Sequence, residues 1–235
     1  MQELIEALLR SNVLWGKKWV AHGDSFTEGD FGGSSENYIF EDGPYAGEKK
    51  VYPFFIGRRN NMTVINAGKC GNTITNLQNR PYAFSIEKYR TIPEDADYIT
   101  ICYGINDDDA HQKSPIGTPE DTENTTFWGA WNTVLEYLIV HHPYAKIGII
   151  VPNGCTPAYT AVIRAAARKW GFPYLDLPGD YAVPLLNRVH DKGEVCARAR
   201  QLRDDLFAVS EKNRHPNARA HELESTVIEH WLRSL

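Results

Sequence analysis

A chain of 235 residues, 42% hydrophobic and 23% charged, has the length and apolar content to bury one sizeable core. Its formal net charge is -5 and it carries no basic run, which argues against a nucleic-acid partner. No apolar run approaches bilayer-spanning length, and the four cysteines (Cys70, Cys102, Cys155, Cys196) form no C-x-x-C pair, so membrane spans and zinc or redox motifs are not expected and reduced thiols in or near the core are.

The chain opens with MQELIEALLRSN, which lacks a basic start followed by a long apolar stretch and so does not read as a signal peptide. It predicts a short amphipathic helix with Leu4, Ile5, Leu8 and Leu9 on one side. Residues 1–14 then form a helical extension to a single domain over 1–235, in the cytoplasm or within a larger protein. The first buried strand is predicted over Lys18–His22, and it runs into Gly23-Asp24-Ser25. A serine there is either a helix cap or a nucleophile. Asp24 before it suits a turn-forming Asx bond or electrostatic tuning of the serine. His22 reads as a strand-end histidine satisfied by a neighbour.

Gly29–Lys50 follows as a long irregular stretch, rich in Gly and acids. The second strand is expected at Thr63–Asn66, the third at Tyr98–Tyr103, the fourth at Lys146–Val151 and the fifth at Pro173–Asp176. A second irregular stretch, Asp107–Thr126, follows the third strand, and both stretches are expected to wall a site. Helical spacing marks Phe127–His141, Pro157–Trp170 and Asn217–Leu235; Gly171 is a helix-ending residue. Strands alternating with helices predict an α/β fold, a parallel sheet covered on both faces with functional groups at the carboxyl ends of its strands.

Three strand ends and one helix start carry matching chemistry. Acyl transfer needs a hydroxyl, a base and donors aimed at the developing oxyanion. Ser25 offers the hydroxyl and its own N–H, Gly68 a backbone N–H with no side chain in the way, Asn106 a neutral amide donor, and His215 a base suited to neutral pH. Asp107 is expected to hold the loop presenting Asn106. Asn72 reads as a helix cap or a substrate contact, and Trp128 as core or as the lining of a sugar or acyl subsite. His111 with Asp107–Asp109 has the atoms for a cation, but adjacent loop side chains rarely converge, so no metal is expected. His190, His221 and His230 read as surface or helix residues. The first strand's loop lacks both G-x-G-x-x-G and G-x-x-x-x-G-K-[ST], so no nucleotide or flavin cofactor is expected.

The four blocks Gly23-Asp24-Ser25, Asn66-Ala67-Gly68, Gly104-Ile105-Asn106-Asp107 and His215-Pro216-Asn217, in this order from about Trp19 to the end, resemble the SGNH (GDSL-type) hydrolase family. The resemblance implies a three-layer, flavodoxin-like α/β/α fold with a five-stranded parallel sheet. It implies Ser25 as nucleophile, His215 as base, and Ser25 N–H, Gly68 N–H and Asn106 as the oxyanion hole of an ester hydrolase; the absence of a long apolar lid points to a small acyl group, and the two polar loops with several aromatics to acetyl on a carbohydrate. One departure stands out: where the family has Asp three residues before the His, this chain has Lys212, which cannot accept the Nδ1–H bond. A backbone carbonyl, or Glu211, Asp204 or Asp205 as a substitute acid, then has to hold the ring, or catalysis is impaired. The stretch GTPEDTENTTFWGAW also looks like SGNH-type domains attached to phage or prophage structural proteins, and with Lys212 it supports an alternative, a non-catalytic glycan-binding module.

Overall fold

The computed structural model describes residues 11–32, 38–77, 83–109, 113–181, 183–187 and 196–235. The expected N-terminal helix with Leu4, Ile5, Leu8 and Leu9, and the histidines His111 and His190, lie outside the described residues.

Five strands form one sheet: β1 (Lys18–Gly23), β2 (Thr63–Gly68), β3 (Tyr98–Cys102), β4 (Lys146–Val151) and β5 (Tyr174–Asp176). All pairings are parallel and the order is β2-β1-β3-β4-β5. The helices are α1 (Ser25–Glu28), α2 (Tyr52–Asn60), α3 (Phe127–His141), α4 (Pro157–Trp170), α5 (Ala197–Phe207) and α6 (Ala218–Leu232), with a 3₁₀ turn at Lys88–Thr91. The five strands match the expected segments to within two residues at each end, and α3 and α4 match the expected ranges. Asn217 proves to be the cap of α6 rather than its first residue, accepting the Ala220 N–H at 3.1 Å.

The central strands are mostly apolar because both faces of the sheet are covered. Side chains alternate between two cores. Val20, Ile99, Ile101 and Ile149 face the side that carries α3 and α4. Trp19, Ala21, Tyr98, Ile150 and Leu175 face the side that carries α2 and α6. The Trp19 indole N–H spans β1 to β3 by donating to Thr100 Oγ1 at 3.0 Å. Gly148 of β4 is glycine because a Cβ there would fall 2.4 Å from the Trp231 ring of α6. Two helices, α2 and α5, were not expected: α2 begins at Tyr52-Pro53 with mixed polarity, and α5 is largely charged, so neither shows a clear apolar stripe.

In this strand order the chain reverses direction between β1 and β3, and the crevice at their carboxyl ends is where such sheets bind ligands. Ser25 follows β1 and Asn106 follows β3.

Candidate active site

The turn from β1 into α1 is dense. Asp24 caps α1, its Oδ1 accepting the Phe26 N–H at 2.9 Å. The Asx bond expected of Asp24 therefore forms. Its other oxygen has no partner among the described residues, and burial pushes the carboxyl up to about 7. Gly23 leaves no room for a side chain: a Cβ would sit 2.0 Å from Thr27 Oγ1 and 2.9 Å from the Cys102 carbonyl. Ser25 is 5% exposed, enough for its hydroxyl to reach the crevice.

The end of β2 clamps α1. Asn66 Nδ2 donates to the Thr27 carbonyl at 2.8 Å, and Asn66 Oδ1 accepts the Gly68 N–H at 3.0 Å. This corrects the expectation for Gly68: its N–H is committed to Asn66. Its missing side chain serves packing instead, since a Cβ would lie 2.3 Å from the Glu28 nitrogen. The chain then turns through Lys69–Asn72, where Gly71 has φ of 74° and the Asn72 N–H donates to the Lys69 carbonyl at 3.0 Å. Asn72 caps no helix and its side chain is buried; its carbonyl accepts from Asn106 Nδ2 at 2.8 Å, which orients that amide.

Asp107 is fully buried beside Asn106 and ties the loops after β2 and β3. It accepts from the Ile74 N–H, the Thr75 N–H and the Ser114 hydroxyl, each at 3.0 Å. Burial pushes its carboxyl up, against the pull of those donors.

His215 sits between α5 and α6, in a loop stitched by the Val209 N–H to the His215 carbonyl (3.0 Å) and the Asn217 N–H to the Phe207 carbonyl (2.8 Å). Its Nε2 is 2.9 Å from Ser25 Oγ. Its Nδ1 is 2.6 Å from Asn213 Oδ1, an oxygen that also accepts the His215 backbone N–H at 3.1 Å. The amide's other end donates from Nδ2 to the Asp30 carbonyl at 3.2 Å. Both ends of the amide therefore agree that oxygen faces the ring, so Nδ1 carries the proton and Nε2 is left to accept from the serine hydroxyl. Behind the amide, Asp30 Oδ2 lies 3.7 Å from Nδ1.

The substitutes for the missing aspartate are thereby corrected. Glu211 is exposed, and the groups met by the ring nitrogens are Ser25, Asn213 and Asp30. Asp204 pairs with Arg203 at 2.8 Å and Arg214 at 3.7 Å, and Asp205 accepts from Gln201 at 2.7 Å. The ring is held by a side-chain amide rather than by these acids or a backbone carbonyl. Lys212 lines the crevice wall.

Ser25, Asn106 and His215 open on a cleft of about 470 Å³. Leu177, Leu186 and Phe207 make an apolar wall, with Arg203, Lys212 and Arg214 on the same cleft. Of the two loops expected to wall the site, Asp107–Thr126 contributes Asp109, whereas Gly29–Lys50 lines a separate hollow with Asp30, Tyr38 and Cys70. Of the two readings for Trp128 the structure favours the core: it is 8% exposed within the α3–α4 core and is not among the cleft's lining residues. Buried Glu224 does line the cleft; it accepts from Asn153 Nδ2 at 3.1 Å, and burial pushes its carboxyl up to about 7. His221, read as a surface or helix residue, lies on α6 and is fully buried against Phe26 and Tyr52, and burial pushes its imidazole down to about 3. His22, at 3% exposed, lies against the Phe84 ring and is pushed down to about 3 by the same cause.

Among the described residues no three His, Cys, Asp or Glu side chains converge as metal ligands, and no helix is long and apolar enough to cross a membrane. The cysteines are free thiols, with Cys102 buried and Cys70 exposed.

Asn213 and Asp30 were missed in the sequence. The signal available was an Asn two residues before the His, the spacing of an Asx turn. Nothing local marked Asp30.

A model of the GDSL-like lipase/acylhydrolase family matches residues 21–223. No curated protein matches the sequence. Among solved structures, a protein from Lactobacillus plantarum superposes with a TM-score of 0.69 at 22% identity, covering 94% of this chain and 98% of its own. One described as a GDSL-like lipase from Bacteroides uniformis gives 0.65 at 15%, with 94% and 97% covered. A carbohydrate esterase family 2 enzyme with a carbohydrate-binding domain, from Myceliophthora fergusii, gives 0.57 at 13%, covering 93% of this chain and 66% of that one. At these identities the likeness is one of fold. None of these three carries a phage designation.

Proposed function

Because the chain belongs to the GDSL-like lipase/acylhydrolase family, we propose that it is a serine ester hydrolase working through an acyl-enzyme at Ser25. The observation that carries this reading is the Ser25 Oγ to His215 Nε2 distance of 2.9 Å, with the far side of the ring anchored on Asn213 at 2.6 Å. That is a nucleophile in hydrogen-bond reach of a base which is itself oriented by a third group.

In the proposed reaction Ser25 Oγ attacks the ester carbonyl while its proton passes to His215 Nε2. The carbonyl oxygen becomes an oxyanion, received by the Ser25 N–H and the second N–H of the Asn106 amide, whose first is occupied by the Asn72 carbonyl. Gly68 N–H, bonded to Asn66, is replaced in this reading by the backbone of the Lys69–Asn72 turn at Gly71, the segment that already touches Asn106. The tetrahedral species collapses as His215 gives its proton to the leaving alcohol. Water, deprotonated by the same nitrogen, then releases the acid and restores Ser25.

A cleft of about 470 Å³ lies in the range of small-molecule sites. It fits a small ester, and the carbohydrate esterase among the structural relatives makes an acetylated sugar the favoured substrate. The glycan-binding alternative drew on Lys212, and the imidazole does not depend on that residue.

The test is hydrolysis of p-nitrophenyl acetate by the wild type and by Ser25→Ala. Turnover that falls ~10³-fold or more in the variant is the expected result. Equal rates in the two proteins would sink the assignment of Ser25.

A further inference from the structure

His215 is met at Nδ1 by a neutral amide. An amide oxygen fixes the tautomer, but it brings no net charge to face the imidazolium that forms when the ring takes the serine proton. A carboxylate stands just beyond it. Asp30 Oδ2 is 3.7 Å from Nδ1, and it comes from the opposite end of the chain, five residues after the nucleophile. The same residue's backbone carbonyl receives Asn213 Nδ2 at 3.2 Å. Asp30 thus touches both the group that orients the ring and, through space, the ring itself.

Asp30 is built to remain an anion. Its Oδ1 accepts the Gly32 N–H at 3.0 Å and its Oδ2 meets the Cys70 thiol at 3.5 Å. The Gly32 bond is the largest cause holding the carboxyl below its ordinary value; burial opposes it, and the neighbouring His215 ring, when cationic, adds to it. A carboxylate 3.7 Å from Nδ1 faces the charge the ring takes up when it accepts the serine proton.

We infer that the third member of the site is split between two residues from opposite ends of the chain, Asn213 supplying the geometry of His215 and Asp30 the negative charge. Asn213 is then an orienting residue and Asp30 a positioning residue that acts through His215 without touching substrate. This explains how the site tolerates Lys212 at the position where the family resemblance places an aspartate. The inference rests on the hydrolytic reading only for its kinetic consequences; the electrostatic pairing is independent of it.

The experiment is an NMR titration of the His215 ring in the full chain, run with kcat and KM for p-nitrophenyl acetate. Other titratable groups face the pair: Lys49 and Cys70 beside Asp30, Glu28 beside both of those, buried His221 near His215, and Lys212, Arg214 and Glu224 on the cleft with His215. All are unchanged in Asp30→Asn. In that variant, which removes the carboxylate 3.7 Å from Nδ1, the His215 midpoint is expected below that of the wild type. The acidic limb of the kcat/KM profile should move to lower pH with it, and kcat should drop ~10–100-fold at nearly constant KM. Asp30→Ser, which keeps an acceptor for the Gly32 N–H but no charge, should behave alike if Asp30→Asn fails to fold. Asn213→Asp combined with Asp30→Asn should restore most of kcat by moving the charge onto the amide's place. A midpoint unmoved in a folded Asp30 variant overturns the inference, as does a double variant no better than Asp30→Asn. A wild type that turns over no ester sinks the hydrolytic proposal instead, while the titration still decides this one.

Discussion

The two halves of the candidate site are made in opposite ways. The serine corner packs the buried turn Gly23–Thr27 against the half-buried end of β2, clamped by the Asp24 and Asn66 side chains, with Gly23 and Gly68 where a Cβ would collide. The histidine loop, Phe207–Asn217, is half-exposed, and its shape comes from side chains, chiefly Asn213 and Asn217, bonding to nearby amides and carbonyls. The difference teaches where precision resides. In the corner it belongs to the fold, so disturbing it costs stability. In the loop it belongs to single polar groups, so disturbing it costs rate.

The sharpest probe of this contrast is Asn106, whose amide is held by the corner-side turn and which the proposed reaction places at the oxyanion. Asn106→Ala is expected to lower kcat ~10²–10³-fold, with thermal stability nearly unchanged; a variant that keeps its kcat would remove Asn106 from the oxyanion site. Next comes the loop itself. Asn213→Ala should lower kcat ~10–100-fold while the melting temperature barely moves, because the ring loses its anchor and the core loses nothing. A large drop in melting temperature would instead make Asn213 a structural residue. On the corner side the balance should reverse. Gly68→Ala forces a methyl against the α1 backbone, a misfit of about 1–3 kcal/mol, to be read as a lower midpoint of denaturation.

The smallest effect concerns pH. Asp24 and Glu224 have carboxyls raised to about 7 from 3.8 and 4.5. A raised acid binds its proton more tightly folded than unfolded, so its stabilising contribution is complete below the unfolded value and is lost as pH climbs through the folded one. Glu224→Gln, which keeps an acceptor for Asn153, should therefore melt above the wild type at about pH 8 and lose that lead towards about pH 5. Each kcal/mol should appear as about 2–4 °C. A lead that is the same at both pH values would show that Glu224 is not ionising in this window.

The same contrast accounts for what could be read in the sequence. The strands were legible because β1, β3 and β4 are short apolar runs buried on both faces, and α3 and α4 because they carry a stripe and a stop. Ser25, Asn106 and His215 were legible because each closes a short motif at an element's edge, and the structure brings the three together. Gly68 was misjudged because a glycine needed for packing and one needed for an exposed N–H look identical in a string of letters. Trp128 illustrates the same ambiguity for an aromatic beside a loop. Asn213 and Asp30 lie 183 positions apart, and no local pattern records which carboxylate the fold brings beside a histidine. α5 escaped notice because its charged sequence lacks the periodicity that announces a packed helix.

The short ladder that carries His215 has a consequence for how the molecule opens. It consists of a bridge between Ala208 and Pro216 and a few amides at the rim, while Ser25 is locked to the central strand. Local opening free energies follow the density of buried contacts around each segment. The amides of Val209 and Asn217 should therefore exchange with solvent by fluctuations that leave those of Val20 and Ile101 untouched. On warming, the base should then part from its serine while the sheet is still intact, so that activity fades before the fold does.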